Sequence, residues 1–394
     1  MKEWKRYKLE DLLSIPVRNG LTKPSSIRGK GVKMIGMGEL FANEIIRDIE
    51  MPRVPTTDSE LKLSAIEKGD LLFARQSLTL EGAGKCSLVK EVTEPTVFES
   101  HIIRCRVNKN LVIPEYLYYY FRSRFGRYKI ECIVEQVAAA GIRGKDLIKI
   151  EIPVPDIPTQ RGIVDCLSTL DEKIHYNSLI NDNLEQQASN LFQDWLNNCE
   201  NSIMLRELTD NVLDYTPNTH KHVYLLNSSD VTEGQFTVLP LTPNINLKGQ
   251  FKKRFKKGDI LYSEIRPRNR HYAYCYFDAD KYIASTRLIV LRAKPEKLTS
   301  SILLYQYLML NNVFEEFTLK TESRSGTFPQ GNYEDLSSIK VPYGASQEQI
   351  SKALESIYKQ LWTNLEENER LEALRDSLLP KLMSGELKIN EIDC

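Results

Sequence analysis

The chain has 394 residues, 41% of them hydrophobic and 27% charged, and its 53 basic side chains balance its 53 acidic ones. This length allows two domains with separate cores, and this composition is typical of a globular protein. No apolar run is long enough to span a bilayer, the first residues lack the apolar core of a signal peptide, and the seven cysteines include no Cys-x-x-Cys pair. We therefore expect a cytoplasmic protein with reduced thiols and no membrane contact.

The charge is divided unevenly along the chain. Residues 1–155 have 26 Lys and Arg against 20 Asp and Glu, and residues 156–200 have 2 against 8. The pattern then repeats, with 19 against 15 in residues 201–343 and 6 against 10 in residues 344–394. The two longer, basic segments are suited to face a polyanion, and the two shorter, acidic ones to face protein or solvent.

The first basic segment has the pattern of an α+β domain, and the second repeats it. Short apolar runs after a Gly-Asp turn, GDLLFA (69–74) and GDILYS (258–263), predict strands. Further strands are predicted in HIIRCRV (101–107) and RLIVLRA (287–293), and proline-closed ones at IKIEIPVP (148–155) and IKVP (339–342). PEYLYYYFRSRF, from residue 114, predicts a helix whose tyrosines we assign to the core. The features recur in the same order, 186–189 residues later.

Each acidic segment predicts one long helix with a coiled-coil seam, in which apolar residues are spaced alternately by three and four. Two asparagines interrupt the middle of each seam, Asn177 and Asn181 in the first helix and Asn364 and Asn368 in the second. A buried amide lowers stability but disfavours shifted registers. We therefore predict an antiparallel helix pair whose asparagines meet and fix the register; the alternative is that these amides turn to solvent.

The remaining seam positions fall at corresponding places in the two helices. They are Leu167, Leu170, Ile174, Leu184, Ala188, Leu191 and Trp195 in the first, and Leu354, Ile357, Leu361, Leu371, Arg375, Leu378 and Leu382 in the second. The mismatch between Ala188 and Arg375 predicts a frayed coil there, or a contact with another protein.

The predicted fold class is α+β: two domains of mixed α/β structure, residues 1–155 and 201–343, in a pseudo-twofold arrangement. Two long antiparallel coiled-coil helices, residues 156–200 and 344–394, separate them at a fixed distance. Two-fold protein geometry is suited to a two-part target on duplex DNA.

Three motifs resemble a known family over nearly the whole chain. They are the Pro-x-Gln-x-x-Ile helix start at residue 158, the Asn-Leu-Glu core of each helix, and LLPKLMSGEL (378–387). The chain is similar to the specificity subunit of type I restriction-modification systems. The resemblance implies that each domain is a target recognition domain for one half of an asymmetric, bipartite DNA sequence.

The same resemblance implies the partners and the division of labour. The helices would set the unread spacer and dock two modification subunits, which bind S-adenosylmethionine and methylate adenine. Restriction subunits, which use ATP and Mg²⁺, would join through them and cleave unmodified DNA. This chain would itself hold no cofactor, metal or catalytic site.

Candidate DNA contacts lie in three kinds of segment. A basic run before a strand would neutralise phosphates; it comprises Lys252, Lys253, Arg254, Lys256 and Lys257. Loops after the equivalent strands would read base edges; they carry Arg75, Gln76 and Ser77 in the first domain and Arg266, Arg268, Asn269 and Arg270 in the second. A second, glycine-containing loop adds Arg143 and Lys145, or Arg324 and Gln330. A solvated basic surface is the alternative for each.

Two other functions remain as alternatives. One is a coiled-coil adapter that joins proteins without reading DNA, which the basic domains disfavour. The other is a metal-dependent nuclease, because Asp156, Asp171 and Lys173 fit the loose pattern PD…(D/E)xK. That chemistry requires side chains that converge on Mg²⁺, whereas here two of them lie on a predicted coiled-coil helix. His220 and His222 lack further metal ligands nearby in the sequence.

Overall fold

Two α+β domains and two long helices make up the part of the chain that the computed structural model describes, which is residues 4–136, 139–322, 330–344 and 346–388. By internal contacts the chain divides into unit 1, residues 1–175 with 369–394, and unit 2, residues 176–368. Each unit therefore contains one domain and parts of both long helices. Among the described residues no helix is both long and apolar enough to cross a membrane.

Unit 1 is built on a five-stranded sheet of order β2-β10-β6-β8-β4, beside smaller sheets β5-β3-β9, β11-β12-β7 and β1-β13. The strands are β1 (Lys5–Lys8), β2 (Arg18–Asn19), β3 (Val32–Ile35), β4 (Ile45–Ile46), β5 (Arg53–Val54), β6 (Leu71–Ala74), β7 (Gln76–Ser77), β8 (Cys86–Val89), β9 (Thr96–Phe98), β10 (Ile102–Cys105), β11 (Glu135–Gln136), β12 (Ala140–Gly141) and β13 (Glu151–Val154). The short helices are α1 (Met37–Ala42), α2 (Asp58–Ser64), α3 (Pro114–Arg122), α4 (Arg124–Glu131) and α5 (Gly144–Leu147). The first long helix, α6, is Ile157–Asn197.

Unit 2 has two four-stranded sheets, of order β15-β24-β21-β22 and β19-β16-β23-β20, and the pairs β14-β25 and β17-β18. The strands are β14 (Ser202–Met204), β15 (Thr209–Asn211), β16 (His222–Leu226), β17 (Val231–Thr232), β18 (Gln235–Phe236), β19 (Thr242–Pro243), β20 (Phe251–Lys253), β21 (Ile260–Ser263), β22 (Tyr272–Tyr274), β23 (Tyr282–Ser285), β24 (Leu288–Ala293) and β25 (Lys340–Pro342). The helices are α7 (Leu205–Leu208), α8 (Ser301–Leu308), α9 (Asn311–Glu322), α10 (Tyr333–Ser337) and the second long helix, α11 (Gln347–Ser384).

The predicted α+β class and the duplicated elements are confirmed. Strands β6 and β21 follow the two Gly-Asp turns, and every residue of both strands is buried. Helix α3 buries its four tyrosines in the core of unit 1, as predicted. The predicted helix from residue 114 is divided after Arg122, because Ser123 has an extended backbone and caps α4 by accepting a hydrogen bond from the Gly126 N–H.

The Gly-Asp turns have a structural role in both units. The glycines, Gly69 and Gly258, have φ near +95°, a conformation that favours residues without Cβ. The next residue, Asp70 or Asp259, is buried and accepts two hydrogen bonds from the guanidinium of Arg106 or Arg292, at 2.7 and 2.8 Å. An equivalent bidentate ion pair therefore stabilises the Gly-Asp turn of each unit.

Each domain begins and ends on neighbouring strands. Tyr7 in β1 lies opposite Ile152 in β13, and Ile203 in β14 lies opposite Val341 in β25. The buried Gln160 side chain fixes the start of α6, since it donates to the Pro155 carbonyl at 2.9 Å and accepts from the Ile113 N–H at 2.8 Å. The glutamine of the Pro-x-Gln-x-x-Ile motif thus joins the helix to its domain.

The seam asparagines meet one another inside unit 2, and the predicted antiparallel pairing of α6 and α11 is confirmed there. Asn177 donates to the Asn368 side chain at 2.9 Å, and Asn364 donates to the Asn181 side chain at 2.8 Å. All four are less than 10% exposed. The alternative, that these amides turn to solvent, is therefore wrong.

Two predictions about the seam are wrong. Arg375 does not mark a frayed coil: inside unit 1 it donates to the Asp171 carboxylate at 2.9 Å, while Ala188 is buried in unit 2. Leu191 is 41% exposed and Phe192 is buried in its place, against Ile302 and Leu303 of the second domain. The helix turns its apolar side toward the domain there, so the strict heptad spacing no longer applies.

Candidate nucleic-acid interface

In unit 1 the structure brings both predicted loops together. Strands β7, β12 and β11 form a small antiparallel sheet in which Gln76 lies opposite Gly141 and Ser77 opposite Ala140. The Ile142 N–H donates to the Arg75 carbonyl at 2.9 Å, which extends this contact by one residue. A Cβ on Gly141 would lie 3.0 Å from that carbonyl oxygen, so the glycine lets the two loops approach closely.

The predicted residues of unit 1 differ in how accessible they are. Gln76, Arg143 and Lys145 are exposed, whereas Arg75 and Ser77 are half-buried. Arg143 is paired with Glu135 across the small sheet, and the Ser77 hydroxyl accepts a hydrogen bond from the Thr79 N–H at 3.1 Å. Gln76 therefore presents an exposed amide on this small sheet, and an amide has the donor and acceptor needed to pair with an adenine edge.

Arg127 is a positioning residue that sequence reasoning missed. Its guanidinium donates to the Leu80 carbonyl at 2.9 Å and to the Ala83 carbonyl at 3.0 Å. These bonds hold the loop that follows β7. The sequence contains no signal for this role, because the bonded atoms are backbone oxygens more than forty residues away.

In unit 2 the corresponding loops are also adjacent. Ile265 forms a bridge with Gln330, and the Gly331 N–H donates to the Glu264 carbonyl at 2.7 Å. Burial raises the pKa of the Glu264 carboxyl. Gly331 is required for packing, since a Cβ there would lie 2.5 Å from the Phe317 ring. Gln330 is exposed, and Arg324 lies outside the described residues.

The loop after β21 has unusual backbone geometry. Arg266 and Arg270 have φ of 47° and 52°, the left-handed region that non-glycine residues seldom adopt. Between them Pro267 is buried, while Arg268 and Asn269 are exposed. Such strain is kept where the surrounding structure enforces it, and it is frequent at binding sites.

Two arginines of this loop already have partners. Arg268 donates to both carboxylate oxygens of Glu322, at 2.8 and 3.1 Å. Arg270 donates to the Asn311 side chain at 2.5 Å and lies 4.9 Å from the centre of the Phe314 ring. The loop is thus fixed to helix α9, and Asn269 is its exposed amide, as Gln76 is in unit 1.

The basic run around β20 contains one incorrect prediction. Lys253 is 3% exposed and donates to the Leu288 carbonyl at 2.6 Å, so it cannot contact phosphate in this structure. Burial lowers the pKa of its ammonium group. Lys252, Lys256 and Lys257 are exposed, and the half-buried Arg254 donates to the Asp280 carbonyl at 2.9 Å. Three lysines therefore remain as candidate phosphate contacts.

The carboxylates of the nuclease pattern are engaged elsewhere. Asp156 caps the start of α6 by accepting from the Thr159 N–H at 3.0 Å. Asp171 is buried against Tyr119 and Arg375, and the neighbouring Glu172 is paired with Arg47 and Lys90. No group of three or more metal-ligating side chains occurs in the part of the chain that the structure describes. These contacts leave the nuclease alternative without support.

Comparison with known proteins identifies the family to which this chain belongs. The family model described as type I restriction modification DNA specificity domain matches residues 1–186 and 240–373, which is most of the chain, including the whole first domain and most of the second. The chain belongs to the family of type I restriction-modification DNA specificity proteins, as the sequence motifs indicated.

Individual relatives agree with this assignment. The chain is 34% identical over 163 residues to the HindI specificity subunit of Haemophilus influenzae, covering 41% of this chain and 35% of that protein. It is 26% identical over 205 residues to the EcoKI specificity subunit of Escherichia coli, covering 52% and 42%. These two alignments span less than half of the relatives' length. A putative MjaX specificity subunit of Methanocaldococcus jannaschii is 22% identical over 98% of this chain and 94% of its own.

The fold is also shared with a solved structure. A type I restriction-modification S subunit from M. genitalium superimposes with a TM-score of 0.67 over 96% of both chains, at 15% sequence identity. At this identity the likeness concerns the fold alone.

Proposed function

We propose that this chain is the non-catalytic, sequence-reading subunit of a type I restriction-modification complex in the cytoplasm. Each domain reads one half of an asymmetric, bipartite DNA target. The observation that carries the proposal is the repeated pairing of two loops in a chain of this family. In each unit a post-strand loop lies against a second loop, and the pair presents an exposed amide among arginines.

The two loop pairs differ in the side chains they present, and this supports two different half-sites. Unit 1 offers Gln76 with Arg143 and Lys145, whereas unit 2 offers Asn269 with Arg268 and Gln330. Arginine pairs with guanine edges and amides pair with adenine edges in the major groove. The exposed lysines near β20 would add phosphate contacts that do not depend on sequence.

The long helices would set the length of the unread spacer and dock two modification subunits. Those subunits would bind S-adenosylmethionine and methylate adenine in each half-site. Restriction subunits would join the complex through them and use ATP and Mg²⁺. The alternative, a coiled-coil adapter that does not read DNA, needs no loop pair of this kind.

The decisive experiment is a methylome. The chain is expressed with its cognate modification subunit in a host that lacks DNA methylation, and N6-methyladenine is mapped by long-read sequencing. An asymmetric motif in two parts, separated by an unread gap, is the expected result. A stable complex that leaves the genome unmethylated would favour the adapter.

A further inference from the structure

We infer that the buried charge pair of Asp171 and Arg375 selects the partner of each long helix, so that α6 accepts α11 and rejects a second copy of α6. The inference goes beyond the proposed function, because it concerns how the halves of the chain find each other and does not require DNA. It is based on a comparison of the Asp171–Arg375 position in unit 1 with the equivalent position of the repeat in unit 2, where the side chains differ.

The pair lies inside unit 1 and is well buried. The Asp171 side chain is 8% exposed and that of Arg375 is 13% exposed, and their closest atoms are 2.9 Å apart. The Tyr119 hydroxyl donates to the second Asp171 oxygen at 2.7 Å. Arg122 is a second, more distant partner of Asp171 at 3.9 Å and is also bound to Glu44 at 2.7 Å, and Arg375 also pairs with the exposed Asp376 of its own helix at 3.0 Å.

The contacts of the seam asparagines with one another do not distinguish the two helices. Asn177 and Asn181 of α6 have identical counterparts in Asn364 and Asn368 of α11, at an offset of 187 residues. An antiparallel pair of two α6 helices would therefore bring asparagine against asparagine in the same way. The amides favour one register, but the identity of the partner must be set elsewhere along the seam.

The same offset places different chemistry at the charge pair. Asp171 corresponds to Tyr358, Arg375 to Ala188, and Tyr119 to Gln306. In unit 2 the Gln306 amide donates to the Tyr358 hydroxyl, and Ala188 is 1% exposed in an apolar cluster. The seam position that holds a buried ion pair in unit 1 therefore holds neutral side chains in unit 2.

A wrong pairing would remove the closest counter-ion from the buried Asp171 carboxylate, or the buried one from Arg375. Because Ala188 has the place in α6 that Arg375 has in α11, an α6–α6 pair would put Asp171 opposite Ala188. An α11–α11 pair would put Arg375 opposite Tyr358. Each wrong pair would lose this contact twice, leaving Asp171 with the more distant Arg122 or Arg375 with the exposed Asp376, and a poorly compensated buried charge is strongly destabilising. We expect a preference for the α6–α11 pair on the order of 100-fold or more.

The test is a competition between correct and wrong pairs. Residues 1–199 and 200–394 are produced together as two chains in one cell, so that every residue is present. The cut lies between the end of α6 at Asn197 and the start of β14 at Ser202. Native mass spectrometry then measures the mixed pair and the two pairs of identical halves. The unaltered halves should give almost only the mixed pair.

The decisive variant is Asp171→Asn with Arg375→Met. It removes both charges while it keeps an acceptor for Tyr119 and an aliphatic chain in place of the arginine stem. We expect the mixture to approach a random one, with about half mixed pairs. Glu172→Gln is the matched control, because Glu172 pairs with Arg47 and Lys90 of the first domain. That variant should keep the preference for the mixed pair.

A second measurement in the intact chain checks that the charges are coupled. Arg375→Met alone should lower the urea midpoint of unfolding more than the double variant does, because it removes the closest counter-ion of the buried Asp171 carboxylate. Equal midpoints would overturn the inference. So would a random mixture from the unaltered halves, or an undiminished preference in the double variant.

Discussion

Within the candidate interface, the exposed amides are the residues whose replacement is most informative. Gln76 and Asn269 project from equivalent loops of different units, and both are exposed, so their removal should leave the fold intact. A bidentate amide–adenine contact contributes about 1–3 kcal/mol of discrimination against other bases.

We therefore expect Gln76→Ala to relax one half of the methylation motif, and Asn269→Ala to relax the other half. The readout is the methylome of cells that carry each variant with the modification subunit. Asn110→Ala serves as the control, since this exposed residue lies beyond the opposite end of strand β10 from Arg75. If both variants altered the same half, the assignment of one unit to each half-site would be wrong.

The lysines around β20 divide into three exposed side chains and one buried one, and their roles can be compared directly. The double change Lys256→Glu and Lys257→Glu should reduce the slope of log binding constant against log salt concentration by about 2, one for each lost phosphate contact. The measurement is a salt titration of DNA binding by fluorescence anisotropy. An unchanged slope would show that these lysines do not contact phosphate.

Lys253→Ala should have the opposite effect, lowering the stability of the fold and leaving the salt dependence of DNA binding unchanged. Its loss leaves the buried Leu288 carbonyl without its donor, which should lower the free energy of unfolding by about 1–3 kcal/mol. The salt dependence of DNA binding should remain that of the unaltered chain. Urea unfolding and the same salt titration measure the two effects separately.

The sequence did not reveal that Lys253 is buried, because a run of four cations within five residues has no apolar periodicity. In the structure Lys253 is the inward residue of edge strand β20, at an irregularity in its pairing with β23. Only the register of that pairing decides which lysine points inward. Its neighbour Lys252 is exposed, as strand alternation requires.

Among the elements, the long helices allow a test of the amide contacts. Asn177→Leu alone should lower the free energy of unfolding by about 1–3 kcal/mol, since it removes the amide that donates hydrogen bonds to Asn368 and Glu367. Adding Asn368→Leu should recover most of this loss. Urea unfolding of both single variants and the double variant measures the coupling. Additive losses would mean that the two amides do not interact.

The elements themselves were predictable where one pattern determined them. The apolar runs after the Gly-Asp turns predicted the central strands, and the apolar spacing predicted both long helices with their asparagines opposed. The pattern failed at Leu191 and Phe192, where the partner of α6 is the second domain and not α11. A heptad pattern assumes a helical partner throughout, so it could not indicate this change.

For the candidate site, the sequence indicated the candidate loops, but neither that they lie against each other nor how their side chains are engaged. The pairing of Arg268 with Glu322 and of Arg270 with Asn311 depends on the position of helix α9, which residue spacing does not specify. The ion pair of Asp171 with Arg375 joins residues 204 positions apart and was mistaken for a mismatch.

At the scale of the whole molecule, the duplicated Gly-Asp turn allows a test of independence. Asp70→Ala and Asp259→Ala each remove the counter-ion of a guanidinium, and each should cost about 1.5–3 kcal/mol. Because the two turns belong to different units, the effects of the double variant should add to within about 0.5 kcal/mol. The exposed Asp165, replaced by alanine, is the control. Differential scanning calorimetry measures all four variants.

Unit 1 combines an early and a late part of the chain, and this affects the order in which the two units can be completed during synthesis. Its apolar core includes Leu379, Leu382 and Met383, which the ribosome adds only after the entire second domain. At about 5–20 residues per second, roughly 10–40 s pass between Leu167 and these residues. Throughout that time the first domain exposes the apolar surface that the end of α11 will cover. The nascent chain therefore completes its last unit before its first, and a chaperone has its longest opportunity to bind at the domain that was made earliest.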